Sequence, residues 1–287
     1  MTKSSFHKFG ISRALELADA NVRDLREILR WNLEHAIRVY RMSSCLFPWM
    51  SEYSLGREIQ ANFSSIEHEL SLAGQYAMTN GIRLSFHPGP FNVLASPNST
   101  LVINTIKELN QHAEIMDMMG LPANHMYPIN IHVGGHYGNK QETLRRFNTN
   151  FNSLSASARA RLVVENDDKI NLFSVRELSR YLRSDIPITF DYFHHKLNSD
   201  EWSEDVALYS AFDRWPQRIR PLFHYSSSKR ENEDSTAGRT AHADYIHETI
   251  NTHYKEFDIE LEAKAKDLAL LRYREINMID GTASNNQ

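Results

Sequence analysis

The segment IPITFDYFHHKLNSD, residues 186–200, begins like a strand and ends in a group of ionisable side chains. Ile186, Ile188 and Phe190 alternate along it, which is typical of a short buried strand. A carboxylate, Asp191, and two imidazoles, His194 and His195, follow directly. A strand with a core-like sequence that ends in such groups predicts a functional site at its carboxyl end.

The same succession of strand and helix recurs along the chain, at intervals of about 30 to 40 residues. Eight segments are predicted strands: FHKFGIS, VYRMSS, IRLSFH, YPINIHV, ARLVVEN, PITFDYF, IRPLFHYSS and FDIELEA. Such alternation indicates a parallel sheet of the α/β class. Eight units in 287 residues favour a closed (β/α)8 TIM barrel over an open doubly wound sheet.

Length and composition are those of a large globular chain, with 41% hydrophobic and 24% charged residues. We expect a single catalytic domain over residues 1–275 and a polar, disordered tail over residues 276–287. No apolar run reaches the roughly 20 residues of a membrane span, and the start MTKSSFHKFG lacks the apolar core of a signal peptide. These features predict a cytoplasmic or nucleoid-associated protein, and we expect a monomer. The only cysteine, Cys45, excludes an internal disulfide and is expected in the core.

The net charge of −4 is mild evidence against a nucleic-acid binder, which usually carries a basic surplus. The 14 histidines weaken that argument, because imidazoles can hold divalent cations whose positive charge the sequence does not show. Charge alone therefore leaves a nucleic-acid partner open.

Ionisable side chains stand at the carboxyl ends of six predicted strands, with one more beyond Asp191 and one in the loop after the seventh strand. They are His87, His132, Glu165, Asp191, His194, His224, His242 and Glu262. The strand ends of a TIM barrel meet at the face that carries the active site. Three carboxylates buried there without cations would cost several kcal/mol each. Mixed imidazole and carboxylate ligands suit Mn²⁺, Zn²⁺ or Fe²⁺, and this number of ligands fits two or three ions.

A centre with several divalent ions would attract an anionic substrate. Adjacent ions can activate water near neutral pH and stabilise a leaving oxygen, so phosphodiester hydrolysis is the first chemistry that we expect. Sugar isomerisation or epimerisation by two metal ions in a similar barrel is the second hypothesis. A protein that binds distorted DNA without cleaving it is the third.

Six segments, taken together and in this order, resemble the UV damage endonucleases, which are metal-dependent TIM-barrel DNA repair enzymes. The segments are RMSSCLFPW, LSFHPGPFNVLASPN, HVGGHYGNK, VVENDD, FDYFHHKLN and IELEAKAKD. The resemblance covers residues 8–270. It implies a double-stranded DNA partner that carries a lesion, cleavage immediately 5′ to a photoproduct, and a 3′-hydroxyl product.

The resemblance also implies that the eight side chains are metal ligands for a cluster of three divalent ions, with Mn²⁺ first and Zn²⁺ or Mg²⁺ as alternatives. By analogy, four of these residues would surround one ion and would also be the catalytic residues: Glu165, Asp191, His224 and Glu262. A second ion would lie between Glu165, His87 and His132, and a third between His194 and His242. His195 matches a family histidine that need not be a ligand.

Several positions depart from the family pattern. Glu52 stands where members often carry a histidine, and it is a possible further ligand. Pro90 replaces a glutamine that helps to probe the lesion, although Phe91 keeps the neighbouring aromatic ring. Ile11 and Leu222 replace a tyrosine and a lysine. These changes predict an altered lesion spectrum, such as different damage, abasic sites or a modified base.

DNA binding requires cations and planar groups around the mouth of the barrel. The candidates are Phe91, Tyr137, Lys140, Lys229, Arg230, Arg239 and Lys264. The two aromatic residues would stack or wedge against bases, and the cations would contact phosphates.

Overall fold

Residues 1–56, 59 and 64–277 are described by a computed structural model of the chain. They form two compact units. Unit 1 consists of Met1–Gly134 and Arg146–Leu162, and unit 2 of Gly135–Arg145 and the chain from Val163 onward. Most of the predicted tail over residues 276–287 lies outside the described residues. None of the described helices combines the length and apolar character that a membrane span requires.

Unit 1 contains three short parallel strands and the helices that connect them. In chain order its elements are α1 (Lys3–Glu34), β1 (Val39–Met42), α2 (Ser64–Thr79), β2 (Arg83–Phe86), α3 (Ser99–Met118), β3 (Ile129–His132), the second part of α4 (Lys140–Phe151) and α5 (Ala156–Arg161). β1 pairs with β2, and β2 pairs with β3. Leu84, Phe86, Ile129 and Ile131 are buried, because the strands of parallel sheets are covered on both faces.

The prediction of a first strand over residues 6–12 is wrong, because this segment lies within α1. Thr2 caps the helix by accepting a hydrogen bond from the Ser5 backbone N–H at 3.2 Å, so the helix begins before the expected strand. Gly10 interrupts it with φ 70°, a conformation that glycine tolerates. Ile11, the substitute for the family tyrosine, is therefore a helical residue.

The segment after β1 also departs from expectation. The prediction that Cys45 is a core residue is wrong, because Cys45 is exposed. The apolar signal came from Leu46 and Phe47, which are both buried. Glu52, the possible further metal ligand, is exposed in a 3₁₀ helix over Met50–Glu52.

Unit 2 contains the remaining strands. Its elements are the first part of α4 (Lys140–Phe151), β4 (Leu162–Glu165) apart from its first residue, α6 (Val175–Tyr181), β5 (Ile188–Thr189), α7 (Tyr192–Leu197), α8 (Glu204–Phe212), β6 (Leu222–Tyr225), α9 (Lys229–Asn232), β7 (Asp258–Leu261) and α10 (Asp267–Ile276). β4 pairs in parallel with β5, and β6 with β7. A bridge between Asp191 and His224 joins the end of β5 to β6. The carboxyl ends of these four strands therefore lie along one edge.

Candidate metal centre

The strand ends of unit 2 bring two carboxylates to one imidazole. Glu165 is the last residue of β4, His224 lies within β6, and Glu262 follows β7. His224 Nδ1 lies 3.2 Å from Glu165 Oε2 and 3.4 Å from Glu262 Oε1. The three side chains present ligand atoms that all lie within 4.8 Å of one another, which is close enough to share a metal ion.

Two more imidazoles join this group. His194 Nδ1 lies 3.1 Å from Glu165 Oε1, and His242 Nδ1 lies 3.5 Å from Glu262 Oε2. The two imidazole rings are 6.1 Å apart between centroids. Asp191 forms a backbone β-bridge with His224, and its Oδ1 lies 3.8 Å from His194 Nδ1. Six of the eight predicted ligands therefore lie together in unit 2.

The other two predicted ligands, His87 and His132, form a pair in unit 1. His132 ends β3, and His87 directly follows β2. Their ring centroids are 5.6 Å apart and both side chains are partly exposed. Pairing of β2 with β3 places these two imidazoles side by side.

Backbone carbonyls determine which ring nitrogen faces outward in several of these histidines. Nδ1 lies 2.9 Å from the Asn166 carbonyl in His194 and 3.0 Å from the Glu262 carbonyl in His242. In His87 it lies 3.3 Å from the Pro88 carbonyl. Because a carbonyl only accepts hydrogen bonds, Nδ1 donates and Nε2 remains the nitrogen that can ligate a metal.

The buried carboxylates of the cluster favour the binding of a cation. Glu165 and Asp191 are fully buried, and Asp191 Oδ2 has no hydrogen-bond partner within the described part of the chain. Burial raises the pKa of Asp191, against the opposing effect of His194. Burial also opposes charge on His194, but the carboxylates Asp191 and Glu165 raise its pKa well above the usual value. Buried oxygen and nitrogen donors of this type fit a divalent metal ion.

His195, the second imidazole of the opening segment, has a different environment. It is buried, and its ring centroid lies 5.3 Å from that of Phe190. Burial lowers its pKa. This burial favours the neutral form of the imidazole, and the ring packs beside Phe190.

Two polar residues of the cluster, Asn166 and Glu260, were not predicted from the sequence. The Asn166 side chain donates to the Asp191 carbonyl at 3.1 Å and accepts from the Asp191 N–H at 2.8 Å. Glu260 is buried and its Oε2 lies 3.3 Å from His224 Nε2. The available signals were the position of Asn166 after Glu165 and the two-residue spacing from Glu260 to Glu262, which places both on one strand face.

Two of the predicted DNA-binding cations have structural partners. Lys140 Nζ lies 2.8 Å from Glu177 Oε2 and donates to the Ile170 carbonyl at 3.0 Å. Lys229 Nζ lies 3.1 Å from Asp244 Oδ1. These lysines fix loops of unit 2, and a DNA phosphate would have to compete with the carboxylates.

The other predicted DNA-binding residues are exposed: Tyr137, Arg230, Arg239 and Lys264 in unit 2, and Phe91 in unit 1. Phe91 has 89% of its surface exposed, in the loop after β2. A large aromatic side chain so exposed is available for stacking on a ligand. Pro90 beside it is also exposed, whereas Leu222 is buried in β6.

A groove of about 390 Å³ lies in unit 2 beside segments that carry predicted ligands. Its lining consists of Asp168, Lys169, Ile170, Asn171, Leu197, Arg239 and Thr240. The first four of these residues lie shortly after Glu165 in the sequence, and Leu197 lies shortly after His194. Arg239 and Thr240 lie shortly before His242. Ile170 is 70% exposed, so the groove offers both cations and an apolar side chain.

Helices that alternate with parallel strands, and a polar cluster at the strand ends, define a TIM-barrel protein with a candidate metal centre. The chain matches the family model "UV-endonuclease UvdE" over residues 1–285 and belongs to that family. This match confirms the predicted family, and with it the prediction of an endonuclease rather than a non-enzymatic binder.

Individual relatives agree with the family assignment. The chain is 32% identical over 285 residues to the UV DNA damage endonuclease of Bacillus cereus (strain G9842), in an alignment that covers 95% of this chain and 86% of the relative. The crystal structure of SacUVDE aligns with a TM-score of 0.79 at 32% identity, over 96% of this chain and 92% of that one. Endonuclease IV from Thermus thermophilus aligns with a TM-score of 0.58 at 12% identity, over 89% and 95% of the chains, and shows the fold alone. The predicted TIM-barrel fold class is confirmed.

Proposed function

We propose that the chain is a metal-dependent DNA repair endonuclease that cuts duplex DNA immediately 5′ to a damaged nucleotide and leaves a 3′-hydroxyl. Family membership supports the endonuclease activity. The observation that carries the metal dependence is the buried group of Glu165, Asp191 and His224 at the strand ends of unit 2. Burying the Glu165 and Asp191 carboxylates side by side without a bound cation would cost several kcal/mol each.

All eight predicted ligands would hold two or three divalent ions, with Mn²⁺ as the first candidate and Zn²⁺ or Mg²⁺ as alternatives. When bound, the ions would supply activated water and positive charge for the phosphate in its transition state. Glu165 contacts both His194 and His224, which supports the proposal that it would belong to more than one ligand set. Asn166 holds the Asp191 backbone by two hydrogen bonds and thereby fixes the position of that carboxylate.

Lesion recognition would rest on the exposed aromatic side chains. Phe91 can stack on a distorted base step, and Tyr137 in unit 2 is also exposed. The family resemblance implies a lesion-probing glutamine at position 90, and the proline found there has no side-chain hydrogen-bond donor. We therefore propose that the range of lesions cut by this chain is not limited to photoproducts, and abasic sites are the first alternative.

Metal removal provides the first test. Protein treated with a chelator should leave a duplex oligonucleotide with one defined lesion intact, and added Mn²⁺ should restore a single nick 5′ to that lesion. Separate duplexes that carry a photoproduct, an abasic site or no damage identify the preferred substrate by gel electrophoresis. Intact damaged duplexes after full Mn²⁺ loading would contradict the proposal.

The groove of unit 2 gives a prediction about DNA affinity. Replacing Lys169 and Arg239 by alanine should weaken binding to damaged and undamaged duplexes alike, because phosphate contacts carry no sequence information. The slope of log affinity against log salt should fall by about 1 for each lost contact. Fluorescence anisotropy at several salt concentrations measures both effects.

The matched control replaces Arg145 and Arg183, two arginines of unit 2 that are paired with the neighbouring carboxylates Glu142 and Asp185. This variant should keep the salt slope of the wild-type protein. Equal slopes for both double variants would remove the groove from the DNA interface.

A further inference from the structure

His224 differs from His194 and His242 in the way that its imidazole is held. In those two residues Nδ1 lies 2.9 and 3.0 Å from a backbone carbonyl, in addition to a carboxylate. In His224, Nδ1 lies near two carboxylates, those of Glu165 and Glu262. The opposite nitrogen, Nε2, lies 3.3 Å from Glu260 Oε2.

The strand register explains this contact. His224 of β6 and Glu260 of β7 are direct partners in the parallel pair, so their side chains leave the sheet on the same face. Both residues are buried, with 1% and 7% of their surface exposed. A carboxylate at such a position is costly unless it has a specific partner, and His224 supplies one.

We propose that Glu260 is a positioning residue of the metal centre, which holds the proton of His224 on Nε2 and directs the Nδ1 lone pair toward Glu165 and Glu262. This inference rests on the metal centre of the proposed function. Histidines that bind metals commonly donate their other ring N–H to a carboxylate or carbonyl, and this contact fixes ring orientation and strengthens the ligand. For His224 a side chain performs the task that backbone carbonyls perform for His194 and His242.

Two substitutions separate the possible roles of Glu260. Glu260→Gln removes the charge but keeps an oxygen that can accept the Nε2–H hydrogen bond. Glu260→Leu removes both and fills a similar volume with an apolar group, which leaves Nε2–H of His224 without this acceptor. Asp258→Asn is the matched control, because Asp258 lies on the same strand, is paired in register with Leu222, and interacts with Arg220.

The experiment measures the Zn²⁺ and Mn²⁺ affinity of each full-length variant by calorimetry, together with metal content. Glu260→Leu should weaken affinity roughly 10- to 100-fold. Glu260→Gln should stay within a few-fold of wild type, and Asp258→Asn should match it. In the Zn²⁺-loaded protein, ¹⁵N shifts should show Nδ1 of His224 bound to metal and Nε2 protonated.

Each other outcome has a definite meaning. Wild-type affinity in Glu260→Leu would overturn the inference, and so would equal loss in the Leu and Gln variants, which would assign the effect to charge alone. Metal bound through Nε2 of His224 would also overturn it. Wild-type protein that binds no divalent ion would instead contradict the metal centre of the proposed function.

Discussion

Nicking of damaged DNA should fall by at least about a hundredfold when Glu165 is replaced by glutamine. The Glu165 carboxylate is fully buried and contacts His194 at 3.1 Å and His224 at 3.2 Å. Glutamine keeps the shape but removes the charge that both imidazoles and any bound cation require. Removing one partner of a buried charge pair costs about 3–5 kcal/mol, which corresponds to roughly 10²–10⁴-fold if expressed in the rate.

The measurement is the single-turnover nicking rate on a lesion duplex at saturating Mn²⁺, with circular dichroism to verify folding. Glu231→Gln is the matched control, because the Glu231 side chain is 54% exposed and forms a surface ion pair with Lys196. Such pairs contribute less than about 1 kcal/mol, so this variant should cut at the wild-type rate. A Glu165→Gln protein that folds and cuts normally would exclude Glu165 from the centre.

Periodicity carried most of the fold prediction. Buried apolar segments followed by helices located β1 to β7, and residues at or near the ends of β2 to β7 supplied six of the candidate ligands. Strand ends are informative because a change from apolar to ionisable residues has few structural explanations. The failure at residues 6–12 has a local cause, since the Thr2 cap and the long apolar face of α1 extend the helix over a segment with mixed propensities.

Contacts between residues distant in sequence were not predictable. Nothing in HVGGHYGNK indicates that Lys140 would pair with Glu177, which follows 37 residues later. Similarly, a spacing of two places Glu260 on the same face as Glu262, but only the register of β6 with β7 reveals that His224 lies opposite. Sequence patterns identify which residues share a face, whereas strand pairing decides which of them meet.

The roles of Asn166 and Asp191 show the same distinction. Asp191 was predicted as a ligand from its place after a strand, and the structure adds that it is also the N-cap of α7. Its Oδ1 accepts a hydrogen bond from the His194 N–H at 2.7 Å, while Oδ2 is buried without a hydrogen-bond partner among the described residues. One oxygen therefore maintains the helix and the other is available to a metal ion.

The separate roles of the two Asp191 oxygens predict a large effect on stabilisation by metal. Asp191→Asn should largely abolish the rise in melting temperature that divalent metal gives the wild-type protein, with little loss of stability in the metal-free state. Asparagine caps helices as well as aspartate. Removing the charge also removes the free-energy cost of burying a carboxylate, which is the cause of the raised pKa of Asp191. Metal at one hundred times its Kd stabilises a protein by about 2.7 kcal/mol, or roughly 5–10 °C for a chain of this size.

Differential scanning calorimetry with and without Mn²⁺ tests this on three variants. Asp185→Asn changes an exposed aspartate paired with Arg183, and it should keep the full metal-dependent rise. Asp191→Ala should lose the rise and, because the cap is removed as well, about 1 kcal/mol of metal-free stability relative to Asp191→Asn. A wild-type rise in Asp191→Asn would mean that Oδ2 binds no ion, and the buried carboxylate would then need another explanation.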